Sequence, residues 1–268
     1  FAKIRDIAQK MKKEGFDAYL VGGCVRDFIL DRRVRDWDLT TNALPEDIQK
    51  IFPDSFYENK FGTVSVKTGS EQDVLKIVEI TPYRIESQYQ DKRHPDEIKF
   101  SKTLEEDLKR RDFTVNAIAM EIKSSGVEIT DLFNGQKDLK EKIIRTVGNP
   151  EERFGEDALR LLRAVRFATE LDFSIEEGTR KAIKKLAATL EFISKERIRD
   201  EFEKIIMVPK AAWGVGLLAD LGLLQYVAQE LTEGIGVIGV TKKKKGHIKY
   251  DELSVFEHNL KTLDYAAQ

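Results

Sequence analysis

Asp36 and Asp38 flank Trp37 in the stretch LVGGCVRDFILDRRVRDWDLTT, downstream of a pair of glycines and Arg26. Side chains alternate faces along a strand, so residues 36 and 38 project together while Trp37 turns to the opposite face. Two carboxylates on one patch repel unless a cation lies between them, and hard oxygen ligands at that spacing suit Mg²⁺ bridging substrate phosphates. A solvated Asp-x-Asp on an exposed strand satisfies the same pattern. Upstream, a strand, a turn at Gly22 and Gly23 and a helix start leave backbone N–H groups and a positive helix end for a phosphate, with Arg26 adding a cation. Taken alone, the glycine pair also reads as a plain turn. Together, cradle and acid pair meet the joint requirement of phosphoryl or nucleotidyl transfer, in which catalysis is positioning and charge neutralisation. No Gly-x-x-x-x-Gly-Lys-Ser/Thr is present, which argues against a P-loop enzyme. Glu79, between Val78 and Ile80 on an apolar run, is the candidate third acid, with an edge-strand surface glutamate as the alternative.

Positioning these residues requires a mixed module. Ile4, Ile7, Ala8 and Met11 at helical spacing predict a first helix ending near Gly15. DAYLV reads as a five-residue strand stopping at Gly22, and VRDFIL as a short helix leaving that turn. DWDLTT, GTVSVKT and VLKIVEIT read as further strands, with a Pro45-initiated helix PEDIQKIF between the first two. The pattern to about residue 145 is therefore α+β. Beyond Asn149 and Pro150 the segments EDALRLLRAVRFATEL, IEEGTRKAIKKLAATL, SKERIRDEFEKII and AAWGVGLLADLGLL all carry helical periodicity, opened by caps such as Ser174 and Ser194. No fixed-period repeat links them, so a solenoid is disfavoured.

The chain has 268 residues, 41% of them hydrophobic, enough for two or three packed modules. Its 45 basic and 47 acidic residues leave a net charge of −2, so any nucleic-acid surface must come from local segregation of charge. Cys24 is the single cysteine, which excludes an internal disulfide and fits a reducing, cytoplasmic setting. No apolar run reaches membrane-span length, and the start FAKIRDIAQKMKKEGF lacks the layout of a secretory signal. The start at Phe1 leads to the expectation that a few residues precede it.

GGCVRDFILDRRVRDWDLTT resembles the signature of the class II tRNA nucleotidyltransferases and the bacterial poly(A) polymerases that share it. EEDLKRRDFTVNAIAM is similar to the family's RRDFT-x-NA element, GEDALRLLRAVRFA to its base-reading helix, and YRIESQYQDKRHP to its flexible-loop region. The four stretches run in family order over residues 17 to 170. The resemblance implies a polymerase-β-like nucleotidyltransferase head over 1–147, a helical neck with the base-reading helix over 148–207, and a helical, tRNA-binding body and tail over 208–268. It implies addition of C, C and A to tRNA 3′ ends from CTP and ATP. By position, Asp36 and Asp38 would bind Mg²⁺, and Gly22, Gly23 and Arg26 would hold the triphosphate. Arg111, Asp112 and Asn116 of RRDFT-x-NA would contact the nucleotide, and Glu156, Asp157, Arg160, Arg163 and Arg166 would fall on the base-reading element. Members that add CCA, only CC, only A, or poly(A) share most of these residues, and the intact DKRHP stretch favours one that adds A.

The spacing predicts Glu156, Asp157, Arg160, Arg163 and Arg166 as one charged stripe on a single helix. A row of surface ion pairs worth about 0.3–0.5 kcal/mol each is the plain alternative, but Leu161, Leu162, Ala164, Val165 and Phe167 pack the other side and fix the arginines. Cytosine and adenine each present an amino donor beside a ring-nitrogen acceptor. One carboxylate and one guanidinium, here Asp157 and Arg160, can pair with either. Uracil and guanine would leave unpaired buried groups, costing about 1–3 kcal/mol each.

Basic patches at Arg180, Lys181, Lys184 and Lys185, and at Lys242 to Lys245, could follow tRNA phosphates by shape, although solvated lysine faces are the commoner origin of such runs. The KKKK run beside glycines reads as a loop before a last amphipathic helix. His258 in YDELSVFEHNL resembles the start of a metal-dependent phosphohydrolase domain found in some members. With His94 and His247 the only other histidines, a second metal site is not expected, and the end ten residues later fits a truncated chain or a natural short form. A non-catalytic RNA-binding protein and a nucleotide-sugar transferase are the readings from other classes, and the oligomeric state is left open.

Overall fold

Residues 1–58, 62–86, 98–242 and 248–267 are described by a computed structural model. DKRHP, His94, His247 and Lys243 to Lys245 lie outside them, and nothing is described of the Lys242 side chain. The chain divides into two compact units: Phe1–Glu141 with Arg145–Gly148, and Lys142–Ile144 with Asn149–Gln268.

In the first unit, helix α1 (Ala2–Lys13) buries Ile4, Ile7, Ala8 and Met11, the predicted stripe. Strand β1 (Tyr19–Val21) is three residues long and not five, because Gly22 at φ 77° turns the chain into α2 (Gly23–Ile29). Then follow β2 (Asp38–Thr41), α3 (Pro45–Ile51), β3 (Ser55–Glu58), β4 (Thr63–Lys67), α4 (Asp73–Lys76) and β5 (Ile77–Pro82). VLK, read as strand, is the end of α4, and the strand begins at Ile77. The antiparallel pair β6 (Arg84–Glu86) and β7 (Ile98–Phe100) is followed by α5 (Leu104–Lys109), β8 (Ile118–Lys123), β9 (Gly126–Asp131) and α6 (Gly135–Glu141).

The main sheet has the order β3-β4-β5-β2-β1-β8-β9. Its neighbours are antiparallel except β2 and β5, which run parallel. Val64, Val78, Ile80, Leu39 and Leu20 are almost fully buried, as are Ile4, Met11 and Ile48 of the helices. On β5, exposed Ile77 and Glu79 alternate with buried Val78 and Ile80, so one edge of that strand's pleat stays accessible.

The second unit contains β10 (Ile143–Ile144), α7 (Pro150–Glu156), α8 (Leu159–Leu171), β11 (Ser174–Ile175), α9 (Glu177–Leu186), α10 (Lys195–Ile206) and α11 (Ala211–Asp220). Short α12 (Leu224–Val227) and α13 (Gln229–Thr232) precede β12 (Ile238–Lys242), β13 (Ile248–Ser254) and α14 (Val255–Ala266). Asn149 caps α7, accepting the Glu151 amide at 2.9 Å, with Pro150 in the first turn. Ser174 is not a cap: it lies in β11, and the Glu176 carboxylate caps α9 by accepting the Thr179 amide at 2.7 Å. α11 packs closely enough that a Cβ on Gly214 would meet Ile205 and Thr169 side-chain atoms at 2.7 Å. The expected all-helical body instead carries the antiparallel pair β12 and β13, before α14 opens with a Ser254–Glu257 capping box.

Candidate active site

β2 and β5 pair with Asp38 opposite Glu79, which puts the two carboxylates on one face of the sheet. The strand proper starts at Asp38, so Asp36 and Trp37 precede it. The chain is nevertheless already extended there, because the Trp37 carbonyl accepts the Glu79 amide at 3.2 Å. Alternation follows: Asp36 is exposed, Trp37 buried, Asp38 half-buried. Burial, then the charges of Asp36 and Glu79, push the Asp38 carboxyl up to about 7 against the opposing pull of Arg111. A carboxylate held so high is one that a cation would relieve, and three oxygen donors suit a hard divalent ion. Among the described residues, no three such side chains are already gathered into a ligand set, so the acids form an electrostatic neighbourhood and not a closed cage.

The glycine turn faces this acid. At Gly22 a Cβ would lie 3.2 Å from Arg111 Nη1 and 4.0 Å from Asp38 Oδ2, and at Gly23 it would lie 3.6 Å from Arg26 Nη2. Only glycine adopts the Gly22 backbone, φ 77° and ψ −138°, without strain. Cys24 ties α2 to β1, its thiol reaching the Val21 carbonyl at 3.2 Å. Burial pushes that thiol up to about 12, so it is a neutral packing group and not a nucleophile.

Arg26 is buried and not an exposed cation, donating to Asn116 Oδ1 at 2.8 Å and Asp27 Oδ1 at 2.9 Å. Asn116 donates in turn to Asp112 Oδ1 at 3.3 Å, and the same oxygen accepts the Phe113 amide at 2.8 Å. Asp112 and Asn116 therefore brace the turn Thr114–Asn116 and, through it, Arg26. Arg111 donates Nη2 to Asp107 Oδ2 at 3.0 Å, while its buried Nε has no hydrogen-bond partner. Asp107 is fully buried, and the sequence reading did not single it out.

In the second unit, the expected single stripe is broken. α7 ends at Glu156, Asp157 leaves helical geometry at φ −146°, and α8 starts at Leu159. The Asp157 side chain causes the new start by accepting the Leu159 amide on Oδ1 at 3.0 Å, a role aspartate favours over a helix interior. Its Oδ2 accepts from Arg197 of α10 at 2.7 Å, a partner that nothing in the spacing of the 156–166 segment signals. Arg160 is buried and bonds the Arg153 carbonyl at 3.0 Å and the Glu156 carboxylate. Arg163 and Arg166 lie over the Phe167 ring at 5.2 and 4.2 Å, and Arg166 Nε is 3.1 Å from Glu201 without a straight hydrogen bond between them. Of the candidate RNA contacts, Lys181 pairs with Glu177 at 3.4 Å and Lys185 with Glu151 at 2.7 Å, while Lys184 is exposed.

The mixed sheet is that of a polymerase-β-like nucleotidyltransferase head. Residues 18–145 match the family described as "Poly A polymerase head domain", and residues 172–235 that described as "Probable RNA and SrmB- binding site of polymerase A". A CCA-adding enzyme of Lactobacillus helveticus is 48% identical over 228 residues, which cover 85% of this chain and 55% of the relative. One of Geobacillus stearothermophilus is 45% identical over 228 residues, 85% of this chain and 54% of the relative. Among solved structures, the Bacillus stearothermophilus CCA-adding enzyme in complex with CTP superposes with a TM-score of 0.76 at 44% identity, over 85% of this chain and 53% of that one. The Thermotoga maritima CCA-adding enzyme complexed with tRNA-CCA gives 0.68 at 27% identity, over 83% and 51%. The chain belongs to the family of tRNA nucleotidyltransferases and poly(A) polymerases built on this head, and it spans about half the length of the curated relatives it matches. Among the described residues no helix is long and apolar enough to cross a membrane.

Proposed function

We propose that this chain is the nucleotidyl-transferring part of a CCA-adding enzyme, extending tRNA 3′ ends with C and A from CTP and ATP without a template. The observation that carries the reading is the Asp38 carboxyl, raised by burial, Asp36 and Glu79 while facing the Gly22 turn and Arg111. The terminal ribose hydroxyl of the primer attacks the α-phosphorus of the nucleotide, the bond to the β-phosphate breaks, and pyrophosphate leaves. Asp36 and Asp38, with Glu79 as the third acid, would hold Mg²⁺, which when bound polarises the α-phosphate and makes the hydroxyl more acidic. Gly22 and Gly23 let the triphosphate approach the backbone, and Arg111 meets its charge. Arg26, Asp112 and Asn116 hold the turn that supports them.

Base choice is assigned to the second unit. Asp157 supplies the acceptor for the exocyclic amino group of C or A, since each carboxylate oxygen keeps a second lone pair beside its present bond. Arg160 supplies the donor for the ring nitrogen, held by Glu156 and Arg153, while Arg163 and Arg166 stiffen α8 on Phe167. Lys181, Lys184 and Lys185 meet tRNA phosphates, exchanging exposed ion pairs worth about 0–1 kcal/mol for RNA contacts.

The test is extension of tRNA ending in the discriminator base, in C or in CC, with Mg²⁺ and labelled CTP and ATP. Addition of two C and one A is expected. Long A tails would instead identify a poly(A) polymerase. Addition of C alone or of A alone would identify a partial activity. Retained tRNA binding without extension would leave a non-catalytic RNA-binding protein.

A further inference from the structure

Arg111 faces the Gly22 turn, and one buried carboxylate fixes where it points. Asp107 sits on α5 with no exposed surface. Its Oδ2 accepts Arg111 Nη2 at 3.0 Å and lies 3.2 Å from the Thr40 hydroxyl. Its Oδ1 accepts Arg110 Nε at 2.9 Å, Arg110 Nη2 at 2.7 Å and the Arg84 amide at 3.3 Å. One carboxylate thus joins α5 to β6 and to β2, where Thr40 stands two residues from Asp38. Burial alone would raise this carboxyl, but the charges of Arg111 and Arg110 and their hydrogen bonds outweigh it and hold it at about 2. It is ionised throughout the neutral range.

Two guanidinium groups bind the carboxylate differently. Arg110 uses Nε and Nη2 on the same oxygen. Arg111 gives Asp107 only Nη2, which leaves Nη1 beside the Gly22 turn and the buried Nε without a partner. Nε shares its edge with Nη2, on the Asp107 side, so Nη1 is the donor turned toward the glycine turn. The anion that fits a guanidinium N–H beside a glycine turn and an acid pair is the polyphosphate of a nucleoside triphosphate.

We propose that Asp107 is a positioning residue that holds the Arg111 guanidinium by Nη2, registered to Asp38 through Thr40, so that Nη1 stays at the glycine turn to receive the triphosphate. The proposal rests on the reading of the head as a nucleotide-transferring site and adds the residue that orients its phosphate-binding arginine. A carboxylate that merely glued α5 to the sheet would affect folding but would not act through Arg111.

A double-mutant cycle separates the two roles, read with a nucleoside-free probe: binding of Mg²⁺-tripolyphosphate to the whole chain, alongside KM and kcat for CTP. Asp107→Asn is expected to weaken tripolyphosphate binding and raise the CTP KM about tenfold or more, with a smaller change in kcat. In an Arg111→Gln background, the same substitution is expected to change either quantity less than about twofold. Equal losses in both backgrounds, or tripolyphosphate binding unchanged by Asp107→Asn, would overturn it. If Asp107→Asn does not fold, Thr40→Val removes one donor and keeps the carboxylate; a shift of about two- to fivefold that vanishes with Arg111→Gln supports the proposal, and no shift overturns it. Tripolyphosphate that binds the unsubstituted chain tightly but binds Asp107→Asn equally well defeats this inference alone. Failure of the unsubstituted chain to bind it defeats the underlying reading as well.

Discussion

The acid site of the first unit and the charged cluster of the second are built by different means. Asp36, Asp38, Glu79 and Gly22 are placed by backbone geometry: strand alternation, one parallel register and a turn only glycine can make. Asp157, Arg160 and Arg197 are placed by side chains, with a helix break capped by Asp157 itself and an ion pair reaching 40 residues along the chain. Chemistry that every nucleotide shares suits the rigid arrangement. The proposed discrimination between bases would depend on which lone pair or N–H each side chain presents, so a change of partner there would alter choice without removing the site.

The largest effect should separate the two regions outright. Asp38→Asn is expected to lower extension about a thousandfold or more, since the proposed metal-binding role would be worth several kcal/mol, with tRNA binding nearly unchanged in a gel-shift assay. Full activity in that variant would remove the metal assignment.

The same variant should change stability with a defined sign. In the metal-free protein Asp38 titrates near 7, above the usual carboxylate value, so between about pH 4 and 7 the folded state binds the extra proton. Stability therefore falls as pH rises through that window, by a few kcal/mol at most. Asp38→Asn should flatten the fall in the thermal midpoint measured from pH 5 to 8, and Mg²⁺ should restore the unsubstituted protein at pH 8. A profile unchanged by the substitution would contradict the crowding of the three acids.

Gly22→Ala should cost about 1–3 kcal/mol, because its backbone conformation excludes other residues and the new methyl group would press on Arg111. CTP KM should rise with it; unchanged kinetics would show that the turn does not meet the triphosphate.

In the second unit Arg197→Ala should leave overall turnover within a few-fold. It should lower discrimination of CTP over UTP by about 3- to 10-fold, near 1 kcal/mol, by freeing the Asp157 carboxylate to rotate. Competition between labelled nucleotides reads this directly, and an unaltered ratio would make Arg197 a packing contact only.

The contrast also explains what the residues disclosed. Alternation of Asp36, Trp37 and Asp38 is a property of neighbouring residues, as are the helical stripe of α1 and the glycine turn, so they were legible locally. Glu79 stood out as a candidate because a glutamate between Val78 and Ile80 is anomalous on its own strand, and its place opposite Asp38 comes from the pairing of β2 with β5. The break at Asp157 was hidden because EDALRLLRAVR keeps helical spacing across it, and capping depends on a hydroxyl or carboxylate choosing a backbone amide over solvent. Ser174 misled for the same reason, Glu176 being the side chain that reaches the α9 amides. Arg197 carries no local signal, its partner Asp157 being 40 residues away; Asp107 shows only its spacing of three and four to Arg110 and Arg111, while Thr40 and Arg84, which complete its surroundings, are distant in sequence. The antiparallel pairing of β12 with β13 lies on either side of a lysine-rich stretch and had no long alternating apolar pattern to announce it.

The division of labour is tested most directly by the ratio of kcat/KM for CTP over UTP in Asp157→Ala, measured on tRNA lacking its terminal CCA. The ratio is expected to fall about tenfold or more, while binding of Mg²⁺-tripolyphosphate stays within twofold of the unsubstituted chain. A ratio unchanged by Asp157→Ala would contradict the assignment of base choice to the second unit.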